Sequence, residues 1–367
     1  MVLKLSGFRI GHYEDETALT GCTVLIFDKI ALAAADVRGS APATANFSTL
    51  DPLVRSARID AILLTGGSSF GLSAVAGVQR YLENENKGLD VGFTHIPNVP
   101  CASIFDLAVG DTKARPTAEM AEMACKLALD VCDRDGSIGA GMGASVGKLF
   151  GIRQAMRGGF GFSSATTIGG AKLWAFAVVN AFGDVWNLGR SEIIAGARTA
   201  HDESTFADSG KLMREGVRRV GFGSASKTIE PPKSAHEEQG SDAWKTENAN
   251  RVTDNTTLVV VVTDAALDPI AAKKMAQSCM TGLTDVVYPA CTIFDGDLVI
   301  AVSIGDIQED LTHLCLLGQD LVSEAIIGGV KAARPAPGLP AYEEKPWYAD
   351  EDTENSNASQ SNRKEEQ

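Results

Sequence analysis

The chain is short of the residues from which disulfide frameworks, metal centres, membrane spans and nucleic-acid surfaces are built. Its seven cysteines (Cys22, Cys101, Cys125, Cys132, Cys279, Cys291, Cys315) are odd in number, scattered and never in a CxxC pair. A disulfide framework and a structural zinc site are both excluded by that pattern. The five histidines form no cluster with the acidic residues, so neither a metal nor any other cofactor is expected. No apolar run approaches the ~20 residues of a membrane span. The N-terminus lacks a basic start followed by an apolar stretch, so a cytoplasmic protein with no membrane partner is expected. Positive charge is scarce as well: 33 Lys and Arg stand against 47 Asp and Glu, a net charge of -14. Nucleic acid is thereby an unsuitable partner, because phosphate binding needs local positive charge.

What is present is enough apolar material for a full core, 44% of 367 residues, and 37 glycines placed in short runs between β-branched segments. That distribution suits the tight connections of a layered α/β protein. Strand patterns fall at Cys22 to Phe27, Ile59 to Thr65, Leu173 to Val179, Leu258 to Thr263 and Leu298 to Ser303. Helical spacing is read at 72–83, 117–133, 271–281 and 310–331. Two stretches have no core-forming pattern. Residues 225–254 form a polar linker containing Pro231-Pro232, and residues 343–367 form a tail with eight acidic and three basic side chains. A single domain over residues 1–335 is expected, with both stretches outside its core.

Four sequence features carry candidate chemistry. Gly67-Ser68-Ser69-Phe70-Gly71 matches a G-x-S-x-G elbow between a strand and a helix, with Ser69 as candidate nucleophile and His313 as the last histidine. The same run also reads as a strand-to-helix turn whose amides hold an anion. The glycine-rich run 136–148 ends in Lys148 but has Leu149 where a phosphate loop needs Ser or Thr. Asp295-Gly296-Asp297 places two acids on one side of a turn just before a strand. Asn255-Thr256-Thr257 joins the polar linker directly to the strand-like Leu258 to Val262, with Asn255 as a surface turn residue. A threonine becomes a nucleophile with its own α-amine as base only when it is a chain terminus, since a peptide nitrogen is not basic.

The segments GGSSFGLSAVAGV (66–78), VPCASIFDL (99–107), GAGMGASVGK (139–148), VVNAFGDV (178–185), DNTTLVVVVTDAAL (254–267) and FDGDLVIAV (294–302) together resemble the P1 (S58) peptidase family. That family includes L-aminopeptidase/D-esterases, β-peptidyl aminopeptidases and nylon-oligomer hydrolases. The resemblance implies a four-layer αββα sandwich similar to that of N-terminal-nucleophile hydrolases. It implies a precursor cut between Asn255 and Thr256 into residues 1–255 and 256–367, which stay associated as one α/β pair in a tetramer of such pairs. It further implies Thr256 as nucleophile, Asn180 on the oxyanion, Lys148 beside the nucleophile, and Asp295 and Asp297 orienting it. Ser103 and Phe105 match the positions that receive a substrate amine in the aminopeptidase branch, here without its polar groups, and Gly67 and Ser68 are assigned to the same substrate wall. The expected partner is a short peptide, small amide or ester. Rival readings are acyl transfer of the ornithine-acetyltransferase type, a serine esterase built on Ser69, and an unprocessed binding protein.

Overall fold

The computed structural model describes residues 2–54, 58–199, 205–219 and 255–342. The linker assigned to 225–254 and the tail assigned to 343–367 lie outside the described residues. The elements that build the core are strands β1 (Phe8–Asp15), β2 (Thr20–Val37), β3 (Ala43–Ala45) and β4 (Arg58–Thr65), helix α1 (Val75–Asn84), strand β5 (Cys101–Ser103) and helix α2 (Ala118–Lys126). They continue with β6 (Gly159–Thr166), β7 (Lys172–Asn180), β8 (Thr256–Ala265), α3 (Pro269–Val286), β9 (Leu298–Ile307) and α4 (Leu311–Lys331).

All nine strands belong to one hydrogen-bonded sheet in the order β6, β7, β8, β9, β2, β4, β5, β3, with β1 paired to β2. Strand β2 is 18 residues long and is exposed at its middle, Asp28 to Ile30. Its first half pairs with β1, and its second half pairs with β9 from Leu32↔Ser303 to Val37↔Leu298. A register shift between Ile26 and Ala31 accompanies the bend along β4. The sheet therefore folds across β2, and its two halves lie face to face. Strands β8 and β9 are parallel, with Leu258 opposite Leu298, so they need a crossover, which α3 supplies.

Period-two alternation sorts the side chains into three apolar layers. Ala175, Ala177, Val179, Val259, Val261 and Val299 point outward onto α3 and α4, meeting Met275, Cys279, Leu283, Leu321 and Ile326. Their neighbours Trp174, Phe176, Val178, Leu258, Val260 and Ile300 point inward against Phe8, Ile10, Leu25, Phe27 and Leu64. On the far side, Cys22, Val24, Ile26, Ala61 and Leu63 pack on α1 and α2 through Val78, Leu82, Ala121 and Ala124. The result is helix, sheet, sheet, helix: the layered αββα sandwich. The scarce aromatics are concentrated between the sheets, where Phe8 meets Trp174 edge-on at 5.4 Å and Phe160 stacks on Phe176 at 6.3 Å.

The five strand patterns all lie in this sheet. The helix expected over 117–133 stops at Lys126, because Leu129 exchanges both main-chain hydrogen bonds with Ile10 at 2.9 Å and Val131 pairs with Lys4. Strand β6 was not legible as a strand because GFGFSSAT is glycine-rich. A Cβ at Gly161 would lie 2.0 Å from the Ala325 carbonyl oxygen, so glycine there lets α4 approach the sheet. Among the described residues no helix is long and apolar enough to cross a membrane.

The inter-sheet aromatic cluster sets a stability test. Phe176→Ala is expected to cost about 3–5 kcal/mol of unfolding free energy by urea titration, whereas Ile168→Ala, at an exposed side chain, is expected to change it by less than about 0.5 kcal/mol.

Candidate active site

The assigned residues converge where β7, β8 and the approach to β9 meet. Thr256 opens β8 and is directly opposite Asn180, the last residue of β7. One residue earlier, Asn255 forms a parallel bridge with Asp295: its N–H donates to the Phe294 carbonyl at 2.9 Å, and its carbonyl accepts from the Gly296 N–H at 2.5 Å. Asn255 is thus wholly buried and is the first paired residue of the β8–β9 ladder, not the surface turn expected from the polar linker. The reason is tertiary, since the strand edge it pairs with lies forty residues further along the chain.

Immediately after Asn255 the ladder is taken over by side chains. The Thr257 N–H donates to Asp297 Oδ1 at 2.7 Å, and Asp297 Oδ2 accepts from the Cys291 N–H at 2.8 Å. Asp295 Oδ2 accepts from both the N–H and the hydroxyl of Thr292, at 2.9 and 2.6 Å, and its Oδ1 from the Phe182 N–H at 3.3 Å. Both carboxyls are buried. Burial raises their affinity for protons, and the Asp295 charge pushes Asp297 up further. The main chain between them is held from behind by Arg38 and Gly39, whose N–H groups donate to the Asp297 carbonyl, and by Ala41, whose N–H donates to the Asp295 carbonyl.

Gly296 is required by contact as well as by hydrogen bonding. A Cβ there would lie 2.7 Å from Thr256 Oγ1. That hydroxyl is buried and, like the Thr257 hydroxyl beside it, has no hydrogen-bond partner among the described residues, a condition that costs about 1–3 kcal/mol.

Asn180 is fixed by groups from the glycine-rich run. Its Oδ1 accepts from the Ser145 N–H at 3.0 Å and from Lys148 Nζ at 2.8 Å, and Nζ also donates to the Asn180 carbonyl at 2.9 Å. With Oδ1 so committed, Nδ2 points the other way and donates one hydrogen to the Phe105 carbonyl at 3.1 Å, leaving its second hydrogen for another acceptor. Lys148 is 1% exposed, and burial lowers its pKa to about 7, with the Asp295 charge opposing the shift. Phe105 therefore serves the site through its main chain, while Ser103 Oγ is buried without a hydrogen-bond partner among the described residues. Gly67 and Ser68 sit beside this wall: the Gly67 N–H donates to Asp106 Oδ1 at 2.7 Å and the Ser68 N–H to the Ile104 carbonyl at 2.9 Å.

Ser69 is exposed, and the residue with strained positive φ in the elbow is Ser68, at 53°. Two histidine rings bond elsewhere, His12 to Thr23 and His313 to Glu309. Sequence reasoning missed the main-chain contributors Phe182, Phe294 and Ser145, whose N–H and carbonyl groups leave no residue-type signature, and also Arg219. The Arg219 guanidinium lies 4.5 Å from the Phe294 ring centre and 5.8 Å from that of Phe182.

A layered α/β sandwich with a buried hydroxyl, amide, amine and carboxyl pair around one peptide bond defines a protein of the amide-hydrolase class. The model of peptidase family S58 matches residues 2–342, and the chain belongs to that family. It is 31% identical over 371 residues to an uncharacterized aminopeptidase of Mycobacterium leprae, covering 93% of this chain and 92% of that protein. It is 27% identical over 328 residues to a 6-aminohexanoate-oligomer endohydrolase of Agromyces, covering 88% and 80%. The L-aminopeptidase D-Ala-esterase/amidase of Ochrobactrum anthropi, described as a variant of the Ntn hydrolase fold, matches in structure with a TM-score of 0.61 at 16% identity. That match covers 92% of this chain and 88% of the other, and establishes the shared fold. The protein is a hydrolase acting on peptide or amide bonds.

The Lys148 environment gives a pH test with a defined sign. Between about pH 7 and the ~10.4 of a free lysine, the unfolded chain binds a proton that the folded chain has released, so stability rises with pH in that window. The unfolding free energy of the wild type relative to Lys148→Met is expected to increase from pH 7 to 10 and to stay flat from pH 5 to 6.5, read by chemical denaturation.

Proposed function

We propose that the protein is a self-processing amide hydrolase that cuts its own chain between Asn255 and Thr256 and then uses the freed Thr256 as its nucleophile. The observation that carries this reading is the buried Thr256 hydroxyl, without a hydrogen-bond partner among the described residues, beside a preceding carbonyl already bound to the Gly296 N–H at 2.5 Å. A hydrogen bond to that oxygen favours negative charge developing on it.

In the processing step Thr256 Oγ1 attacks the Asn255 carbonyl carbon. The C–N bond breaks, the proton lost by Oγ1 passes to the Thr256 nitrogen, which leaves as an amine, and Asn255 is carried as an ester on Oγ1. Water then hydrolyses the ester, releasing the Asn255 carboxylate and restoring the hydroxyl. In turnover the α-amine, with a pKa of roughly 7.7–8.0 in model peptides, takes the Oγ1 proton as the oxygen attacks the substrate carbonyl. The second hydrogen of Asn180 Nδ2 supports the oxyanion, Lys148 and the Ser145 N–H hold that amide in the required orientation, and Asp295 and Asp297 hold the main chain around the nucleophile. The leaving amine takes the proton back, and water releases the acyl group.

Strand β8 lies between β7 and β9, so the piece that begins at Thr256 remains built into the sheet through β8 after cleavage. The reading extends to a cytoplasmic tetramer of such α/β pairs acting on short peptides, small amides or esters without a cofactor.

Intact mass under denaturing conditions tests the reading. The wild type is expected to give two chains, the smaller beginning at Thr256, while Thr256→Ala stays whole and loses all amidase activity. Gly296→Ala is expected to slow processing at least tenfold, because its methyl group occupies the space beside Oγ1. Ser69→Ala is expected to process and turn over normally; a loss of turnover in Ser69→Ala with an intact Thr256→Ala enzyme would establish the serine-esterase alternative instead.

A further inference from the structure

The wall that leads outward from Thr256 carries a cation with unused donors. A Cβ at Gly296 would meet both Thr256 Oγ1 and Pro42 Cα, and Pro42 leads directly into β3. Strand β3 pairs with β5, with Ala43 opposite Ser103, and the helical turn Ser68–Gly71 packs on both strands. Phe70 projects from that turn with 64% of its surface exposed, and the Arg115 guanidinium lies 5.0 Å from its ring centre. Pro116, next in sequence, packs against Gly67.

Arg115 is half-buried and, among the described residues, is hydrogen-bonded through one nitrogen. Its Nη1 donates to the carbonyls of Thr112 and Ala114, at 2.9 and 2.5 Å. Among the described residues no carboxylate lies within ion-pair distance of it. The acid in the same wall, Asp106, is buried and committed to the Thr20 hydroxyl at 2.6 Å and the Gly67 N–H at 2.7 Å. A protein with net charge -14 thus presents, beside the Asp106 that follows the Phe105 carbonyl bound by Asn180, an aromatic platform and a pre-positioned guanidinium that acts on the buried Asp106 through space but has no carboxylate in ion-pair contact among the described residues. A planar carboxylate matches that fork of donors.

We propose that Arg115, stacked on Phe70, is a specificity-determining residue that binds a carboxylate carried by the substrate, so that the preferred substrates are short amides bearing a free carboxylate near the scissile bond. This rests on the amide-hydrolase reading of the Thr256 site. The carboxylate belongs either to the leaving group, as in a dipeptide, or to the acyl group, as in the monoamide of a dicarboxylic acid. Both place an anion a few bonds from the reacting carbonyl.

The experiment uses the full-length enzyme after mass analysis of its processing state, with two substrate pairs. One pair is alanyl-alanine and alanyl-alaninamide; the other is glutaric acid mono-anilide and its glutaramide counterpart. In the wild type, kcat/KM for the acid is expected to exceed that for the amide by about tenfold in one pair, mainly through KM, and that pair identifies the source of the carboxylate. In Arg115→Met the acid-to-amide ratio is expected to fall to about one, and Arg115→Lys is expected to restore part of it. Equal rates for acid and amide in both pairs of the wild type, or a ratio unchanged in Arg115→Met, would overturn the proposal while leaving the Thr256 reading intact. A wild type that stays uncut and hydrolyses neither pair would overturn both.

Discussion

The site depends on where one main-chain ladder stops. The parallel pairing of β8 with β9 begins at Asn255 and Asp295 and is then interrupted for two residues, where Asp297 replaces a main-chain acceptor and Gly296 offers its N–H to the Asn255 carbonyl. An uninterrupted ladder would bury the Asn255–Thr256 peptide with every polar group satisfied and chemically inert. The interruption leaves the Asn255 carbonyl on a short hydrogen bond and the hydroxyls of Thr256 and Thr257 with no hydrogen-bond partner among the described residues, in a buried place. Everything else around it serves to hold that interruption in place. The 38–41 segment braces the Asp295–Asp297 main chain, Thr292 and Phe182 occupy the Asp295 carboxyl, and Lys148 and Ser145 occupy Asn180 Oδ1.

Burial makes this arrangement electrostatically unusual. Lys148 is shifted toward its neutral form and the two aspartates toward theirs, all three chiefly by removal from water. The Arg115 guanidinium lies over Phe70, and the Arg219 guanidinium lies near Phe182 and Phe294, where its charge adds to the downward shift of Lys148.

Much of the architecture was legible because burial imposes period. The apolar runs 173–179, 258–263 and 298–303 are covered on both faces, by helices outside and by the second half-sheet inside, so they read as continuous apolar strands. Helices α3 and α4 were legible from spacing, and Asp310 caps α4 as its polarity suggests. Strand β1 was not, because FRIGHYED mixes charged and apolar residues at a sheet margin, and β6 was not, because its glycines serve a helix contact and not a turn. The end of α2 was misplaced because pairing of Leu129 and Val131 with the N-terminal strands outweighs local helical spacing.

For the site the division is similar. The sequence alone determined which side chains are available: a threonine at the start of the most apolar strand, an acid-glycine-acid turn, an asparagine ending a strand, a lysine closing a glycine-rich run, and no pattern for metal or disulfide. Residue types and local spacing are properties of the chain, so these could be read directly. Only the tertiary structure decided that Asn255 is a buried strand residue and not a surface turn, that Gly296 touches both the carbonyl and the hydroxyl, and that Lys148 and Ser145 orient Asn180. Those relations run through main-chain groups and space left empty by glycine, neither of which has a residue type, and they join segments that become neighbours only when the sheet folds across β2.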